Sequence, residues 1–137
     1  SIARDLVTKY PQNQIFKMRY IESLLVSGNK EKALDETRKY EKFGKGSLGQ
    51  LSYYLFLGQV ERNPDLAKAY FAKALQVKAK GRFVEDYRSM AYVLLADCFI
   101  NEGDTNIATG FLKEAEDLAE YTWVKRKVKE LKDKLND

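Results

Sequence analysis

Apolar residues return along this chain at three- and four-residue steps, and Gly, Asn, Asp or Pro interrupts the pattern at short intervals. The spacing predicts helices at about 2–9, 14–27, 30–43, 48–61, 64–79, 84–101, 105–119 and 121–135, so the chain reads as all-α. The interruptions carry the chemistry of helix ends. Gly28-Asn29 joins a residue suited to a left-handed C-cap to one suited to an N-cap. Asn63-Pro64 sets an N-cap before proline at the first helical position. The stretch Phe43-Gly44-Lys45-Gly46-Ser47 reads as the loosest connection, with Ser47 capping the helix that follows, and Lys80-Gly81 closes a further unit.

The pattern also repeats at long range. Its clearest copy is Tyr92, Leu95, Ala96, Phe99, Gly103, Asp104, Ala108, Leu112 and Ala115. A second copy keeps Gly28, Ala33, Leu34 and Tyr40, and a third keeps Leu57-Gly58, Ala67, Phe71 and Ala74. Ala33 and Ala67 are 34 positions apart, and Ala67 and Ala108 are 41 apart, which is the same period with an insertion of seven. The extra residues, Arg82 to Arg88, read as two added turns on the next helix. A period near 34 residues with two helices in each unit resembles the tetratricopeptide repeat family. The copies depart from that family at Lys17, Ile21 and Thr37, carry Ala96 in place of Gly, and set the first helix of segment 48–81 about three residues closer to its second.

The resemblance implies an α-solenoid of antiparallel helix pairs wound as a right-handed superhelix and closed by a C-terminal capping helix. One domain over 1–137 would hold a half repeat at 1–13, repeats at about 14–46, 48–81 and 82–120, and the capping helix at about 121–135. Small residues such as Ala33, Gly58, Ala67, Ala74, Ala96, Ala108 and Ala115 would let helix axes approach, while Tyr20, Phe71, Tyr92 and Phe99 fill the grooves. In the last helix Trp123, Val124, Val128, Leu131 and Leu135 form an apolar stripe expected to join the core. Lysines and Arg126 line the rest. The alternative for this helix is a basic amphipathic surface that lies on a membrane or grips an acidic partner.

Composition narrows the chemistry. There is no histidine, and Cys98 is the single cysteine, which excludes an internal disulfide and a cysteine-rich zinc site. Cys98 reads as a small packed hydrophobe. Gly44-x-Gly46 lacks the lysine-serine ending of a phosphate loop. Asn101-Glu102-Gly103-Asp104-Thr105-Asn106 lacks calcium-loop spacing and reads as a turn with Asp104 or Thr105 as cap. The expectation is a protein without catalytic, cofactor or metal residues. Net charge is +4 from 24 basic and 20 acidic residues, a mixed surface without the concentrated footprint of nucleic-acid binding. The chain opens inside a helix without a signal-peptide pattern and reads as a piece of a longer protein.

The family resemblance implies a binding surface on the concave side, along the first helix of each repeat. In this sequence those positions are Met18, Glu22 and Leu25, then Ser52, Leu55, Phe56 and Gln59, then Met90, Val93, Asp97, Ile100 and Asn101. Met18, Glu22 and Asp97 stand where a carboxylate clamp would need cations or an amide, so a C-terminal carboxylate ligand is disfavoured. The remaining surface would be an apolar groove with two carboxylates, suited to a peptide or helix of a protein partner. Two other readings stand beside it: a helical-repeat protein that binds RNA or another nucleic acid, and a structural module packed against its own parent chain.

Overall fold

The computed structural model describes residues 1–42, 46–78, 80–81, 83–119 and 122–137. Among the described residues it is all-α, with α1 (Ile2–Lys9), α2 (Gln14–Val26), α3 (Lys30–Tyr40), α4 (Gly46–Val60), α5 (Pro64–Gln76), α6 (Val84–Asn101), α7 (Thr105–Leu118) and α8 (Thr122–Leu135). The expected loop at Phe43-Gly44-Lys45, the first of the added residues at Arg82, and positions 120–121 lie outside the described residues. Three ends differ from expectation by two or more residues, the first being α3, which stops at Tyr40, short of 43. Ser47 does not cap α4 but is its second residue, because the helix opens one position earlier at Gly46, where φ is +70° and glycine carries no Cβ penalty. Helix α5 stops at Gln76, short of 79. Val77 turns to extended backbone and its carbonyl accepts the Arg88 guanidinium at 3.1 Å.

The odd-numbered helices begin alike. Ser1, Asn29, Asn63 and Asp104 each accept a hydrogen bond from the backbone N–H three residues on, at 3.2, 3.3, 3.3 and 3.4 Å. Each satisfies a first-turn donor that has no partner within its helix, a contribution of about 1 kcal/mol. The turn at Asn101–Asn106 is therefore a helix–helix connection, with Gly103 at φ +83° and Asp104 as the cap.

Every helix packs on its neighbours in sequence. In addition α2, α4, α6 and α8 pack on one another in that order, whereas α1, α3, α5 and α7 meet no second odd-numbered helix at close range. The chain thus zigzags between a contiguous row and a row whose members stand apart. The residues that hold the separated row are small. The fourth residue of α3, α5 and α7 is Ala33, Ala67 and Ala108. Four and seven positions on come Thr37 and Tyr40, Phe71 and Ala74, and Leu112 and Ala115, and all nine side chains are buried. That spacing is one helical stripe. Gly58 on α4 shows how close the approach is. A Cβ there would fall 2.6 Å from Cδ1 and 2.8 Å from Cζ of the buried Phe71 ring.

Larger side chains fill the space between the rows. Met18, Ile21, Leu51, Leu55, Phe56 and Tyr87 form the central cluster from α2 to α6. Val93 and Ala96 turn to the other side of α6 and pack with Leu112, Val124, Val128 and Leu131, so the apolar stripe of α8 is taken up by α6 and α7. Few polar groups enter, and those singled out here are bonded. The Tyr40 hydroxyl lies 2.9 Å from Ser52 Oγ and accepts from Gln14 Nε2 at 3.1 Å, which ties α2, α3 and α4 together. Ser89 donates at 2.9 Å to the carbonyl of Ala115, in the last turn of α7, where helical carbonyls have lost their own donors.

Two outcomes follow from this packing. Gly58→Ala should cost about 1–3 kcal/mol, since the Phe71 ring has to move. Phe71→Leu in the same chain should recover part of that loss, as a urea double-mutant cycle would measure. Burial raises the Tyr40 phenol above its ordinary value of 10.0, outweighing the opposite pull of its Ser52 and Gln14 hydrogen bonds. The folded chain then keeps a proton that the unfolded chain releases, so stability should fall as pH rises past about 10. Tyr40→Phe should lose about 1 kcal/mol near neutral pH and show a shallower alkaline decline, read from urea midpoints across that range.

Candidate functional site

The contiguous row exposes a face that the separated row does not cover. On it, side chains from α2, α4, α6 and α8 enclose an open cleft of about 330 Å³. Helix α2 supplies Arg19, Glu22, Leu25 and Val26, α4 supplies Gln59, α6 supplies Met90, and α8 supplies Trp123. The walls are mainly apolar, and two of them are open to solvent to an unusual degree for their type: Val26 is 85% exposed and Trp123 44%. Isolated exposed apolar side chains are ordinary on a protein surface, but several that converge from three helices form a patch.

The polar members of the cleft are engaged by the fold itself. Glu22 accepts from Arg19 Nη1 at 2.9 Å through one oxygen and from the Tyr87 hydroxyl at 2.5 Å through the other. Tyr87 is buried, so this carboxylate ties α2 to the start of α6. Gln59 donates its side-chain amide to the Leu55 carbonyl at 3.1 Å. With Glu22 balanced by Arg19, the cleft presents apolar surface more than charge.

Of the twelve concave-face positions expected from the sequence, Glu22, Leu25, Gln59 and Met90 come together in this cleft. Met18, Ser52, Leu55, Phe56 and Val93 are at most 1% exposed and offer no surface to a partner. All five belong to the buried interior, where Phe56 meets the Tyr40 ring of α3. Ser52, for instance, bonds Tyr40 and the carbonyls of Leu48 and Gly49. Asp97 and Ile100 are half-buried farther along α6, and Asn101 is exposed at its end; none of the three lines the cleft. The second carboxylate expected in the groove therefore stands outside it.

The positions that sequence reasoning missed are Arg19, Val26 and Trp123. Trp123 corrects the expectation of a core residue. It precedes Val124 by one position, so it projects about 100° from the Val124–Val128–Leu131 stripe. The stripe is buried and Trp123 flanks it at the cleft. Arg19, Glu22 and Val26 share a three- and four-residue spacing, so the signal was present one position away from the stripe that carries Met18 and Leu25.

Cys98 is half-buried, and burial together with the nearby Asp97 and Glu102 charges raises its thiol above the ordinary range, which favours the protonated form. Among the described residues no group of acidic or cysteine side chains is placed to hold a metal ion, and no helix is long and apolar enough to cross a membrane.

The Glu22–Tyr87 contact gives a direct outcome. Glu22→Ala should destabilise the chain by about 1–3 kcal/mol, because a buried phenol loses its acceptor, and Glu22→Gln should lose less because an amide oxygen remains. A urea cycle with Tyr87→Phe should return a coupling of at least about 0.5 kcal/mol.

No protein-family model, no curated protein and no solved structure matches this chain.

Proposed function

We propose that this chain is a non-catalytic protein-interaction scaffold. In this reading its helices form a tetratricopeptide-like solenoid, and the contiguous row is the concave side. The common cap and small-residue stripe in α3, α5 and α7 support a repeating unit, as does packing limited to first and second neighbours along the chain. The ligand is an amphipathic peptide segment of a protein partner, seated by its apolar face.

The single observation that carries the reading is the cleft where Leu25, Val26, Met90 and Trp123 converge from three helices of one row. Burial of that surface would supply the affinity at about 25 cal/mol per Å² before ordering costs are met. A cleft of this size accommodates one or two anchoring side chains, which fits an affinity near the micromolar range, about −8 kcal/mol. Since Glu22 is held by Arg19 and Tyr87, selection of the partner rests on shape and apolar contact more than on charge.

Trp123 is the chain's one tryptophan and stands in the cleft wall, so its fluorescence reports occupancy. Peptides selected from a displayed library against the intact chain should shift Trp123 emission to the blue as they bind. Val26→Asp should weaken the same peptides at least tenfold while changing stability by no more than about 0.5 kcal/mol, as expected of so exposed a site. Selected peptides that leave the emission unchanged and bind the variant equally well would sink the proposal.

A further inference from the structure

Where two helices of the separated row stand apart, a gap opens between them over a helix of the other row. The gap between α3 and α5 carries charges of both signs, Arg38 and Arg62 with Glu41 and Glu61. The gap between α1 and α3, over α2, is different. It forms an open cleft of about 340 Å³ whose charged side chains, among the described residues, are Arg4 and Lys32, with no carboxylate in its lining. This cleft shares no lining residue with the Trp123 cleft.

Its place in the zigzag adds to that positive character. Ser1 and Asn29, the N-caps of α1 and α3, both line it, so the positive ends of two helix dipoles converge there. The negative end of α2 also lies close by, but its last carbonyls are taken. Those of Ser23, Leu24 and Leu25 accept the backbone N–H groups of Ser27, Asn29 and Gly28. Arg4 and Lys32 are exposed and make no ion pair among the described residues.

Tyr20 points to a ligand independently of the helix ends. Its side chain lines the cleft and is only 7% exposed. Beside it, Ser23 and Ser27 donate their hydroxyls to the carbonyls of Tyr20 and Leu24 at 2.7 and 3.0 Å. The Tyr20 hydroxyl has no hydrogen-bond partner among the described residues, yet it is not sealed from solvent, so it meets the cleft as a donor without an acceptor. Polar groups on so buried a side chain are ordinarily bonded.

We infer that this cleft binds a phosphate monoester, carried on a phosphorylated side chain or on a small ligand. The Arg4 guanidinium and the Lys32 ammonium match a group of about −1.5 to −2 charge at neutral pH, and the Tyr20 hydroxyl donates to a further oxygen. A compact anion suits the place better than an extended one. Glu31, Asp35 and Glu36 line the neighbouring depression along α3, and Asp5 follows Arg4 on α1. These carboxylates would repel a nucleic-acid backbone or an anionic bilayer laid across the same end of the molecule, whereas a single group seated in the cleft avoids them.

The test titrates the full, isotope-labelled chain at low salt with inorganic phosphate, O-phosphoserine and unmodified serine, and reads backbone amide shifts by NMR. The two phosphorylated probes should give saturable shifts at the starts of α1 and α3, and serine none. Tighter binding of O-phosphoserine would assign the site to a phosphorylated side chain, and tighter binding of inorganic phosphate to a free ion. Arg4→Gln plus Lys32→Gln should weaken binding at least about tenfold with circular dichroism unchanged, both sites being exposed. Tyr20→Phe should weaken it about threefold and leave the urea midpoint in place, since this hydroxyl has no bond within the fold to lose. Lys125→Gln plus Lys129→Gln on α8 should bind as the parent does. Absence of saturable shifts, equal affinity in the Arg4 and Lys32 variant, or an equal loss in the α8 variant would overturn the inference. So would tighter binding of phosphatidylserine vesicles or single-stranded RNA through Arg4 and Lys32.

Discussion

The arrangement depends on how closely the helices of the separated row approach those of the contiguous row. A helix that touches no other member of its own row must bury its whole apolar stripe against the helices before and after it. For α5 that means α4 and α6, and on the α4 side the Phe71 ring lies directly over Gly58. Even one methyl group on α4 would lie inside that ring's van der Waals envelope. Ala33, Ala67 and Ala108 do the same work at the start of their helices, with Thr37, Phe71 and Leu112 one turn on. Interiors packed to this density resist a single added carbon, so residue size at these positions constrains the fold more than hydrophobicity alone.

Close approach also decides where polar groups are placed. Ser52 and Ser89 are small enough for the interfaces they occupy, and each hydroxyl finds an acceptor in reach. Ser89 meets a carbonyl in the last turn of α7, and Ser52 returns its proton to its own helix while sharing the Tyr40 hydroxyl. Arg88 at the end of α5 and Lys68 beside Glu102, at 2.6 Å, tie the ends of α5 to α6 in the same way. Lys68 also lies 5.0 Å from the Phe99 ring, so its stem covers apolar surface while its charge meets a carboxylate. These contacts lie at helix ends and edges, where a solvent-facing charge costs little.

The helices were legible in the sequence because Gly28-Asn29, Asn63-Pro64 and Gly103-Asp104 mark their ends by local backbone chemistry. The buried small residues were legible for a different reason, their long-range period. The surface was read less well. Period alone places Met18, Leu55 and Val93 on the same rows as Leu25, Gln59 and Met90, yet the first three are buried and the others line the cleft. Around the three helices those pairs are separated by only about 20°, 40° and 60°, and a difference so small depends on crossing angles set by tertiary packing. Trp123 was misplaced by a wider margin, one residue or about 100° from the buried stripe. Glu22 was read as a group offered to a partner because its two ligands, Arg19 three residues away and Tyr87 sixty-five residues away, cannot be inferred together from spacing.

Two rows of helices with unequal contact generate two kinds of concavity. Where the row is contiguous, Glu22 of α2 is taken up by Arg19 of its own helix and by Tyr87 of α6, and what remains open is apolar: Leu25, Val26, Met90 and Trp123. Where the row is separated, the gap is wider and reaches the helix of the other row, so its floor is apolar while its walls are the outward faces of α3 and α5 with their charges still solvated. In the first concavity the Glu22 carboxylate is already paired with Arg19 and Tyr87. In the second, Arg38 and Arg62 line the same groove as Glu41 and Glu61. The different character of the two surfaces therefore follows from one packing constraint.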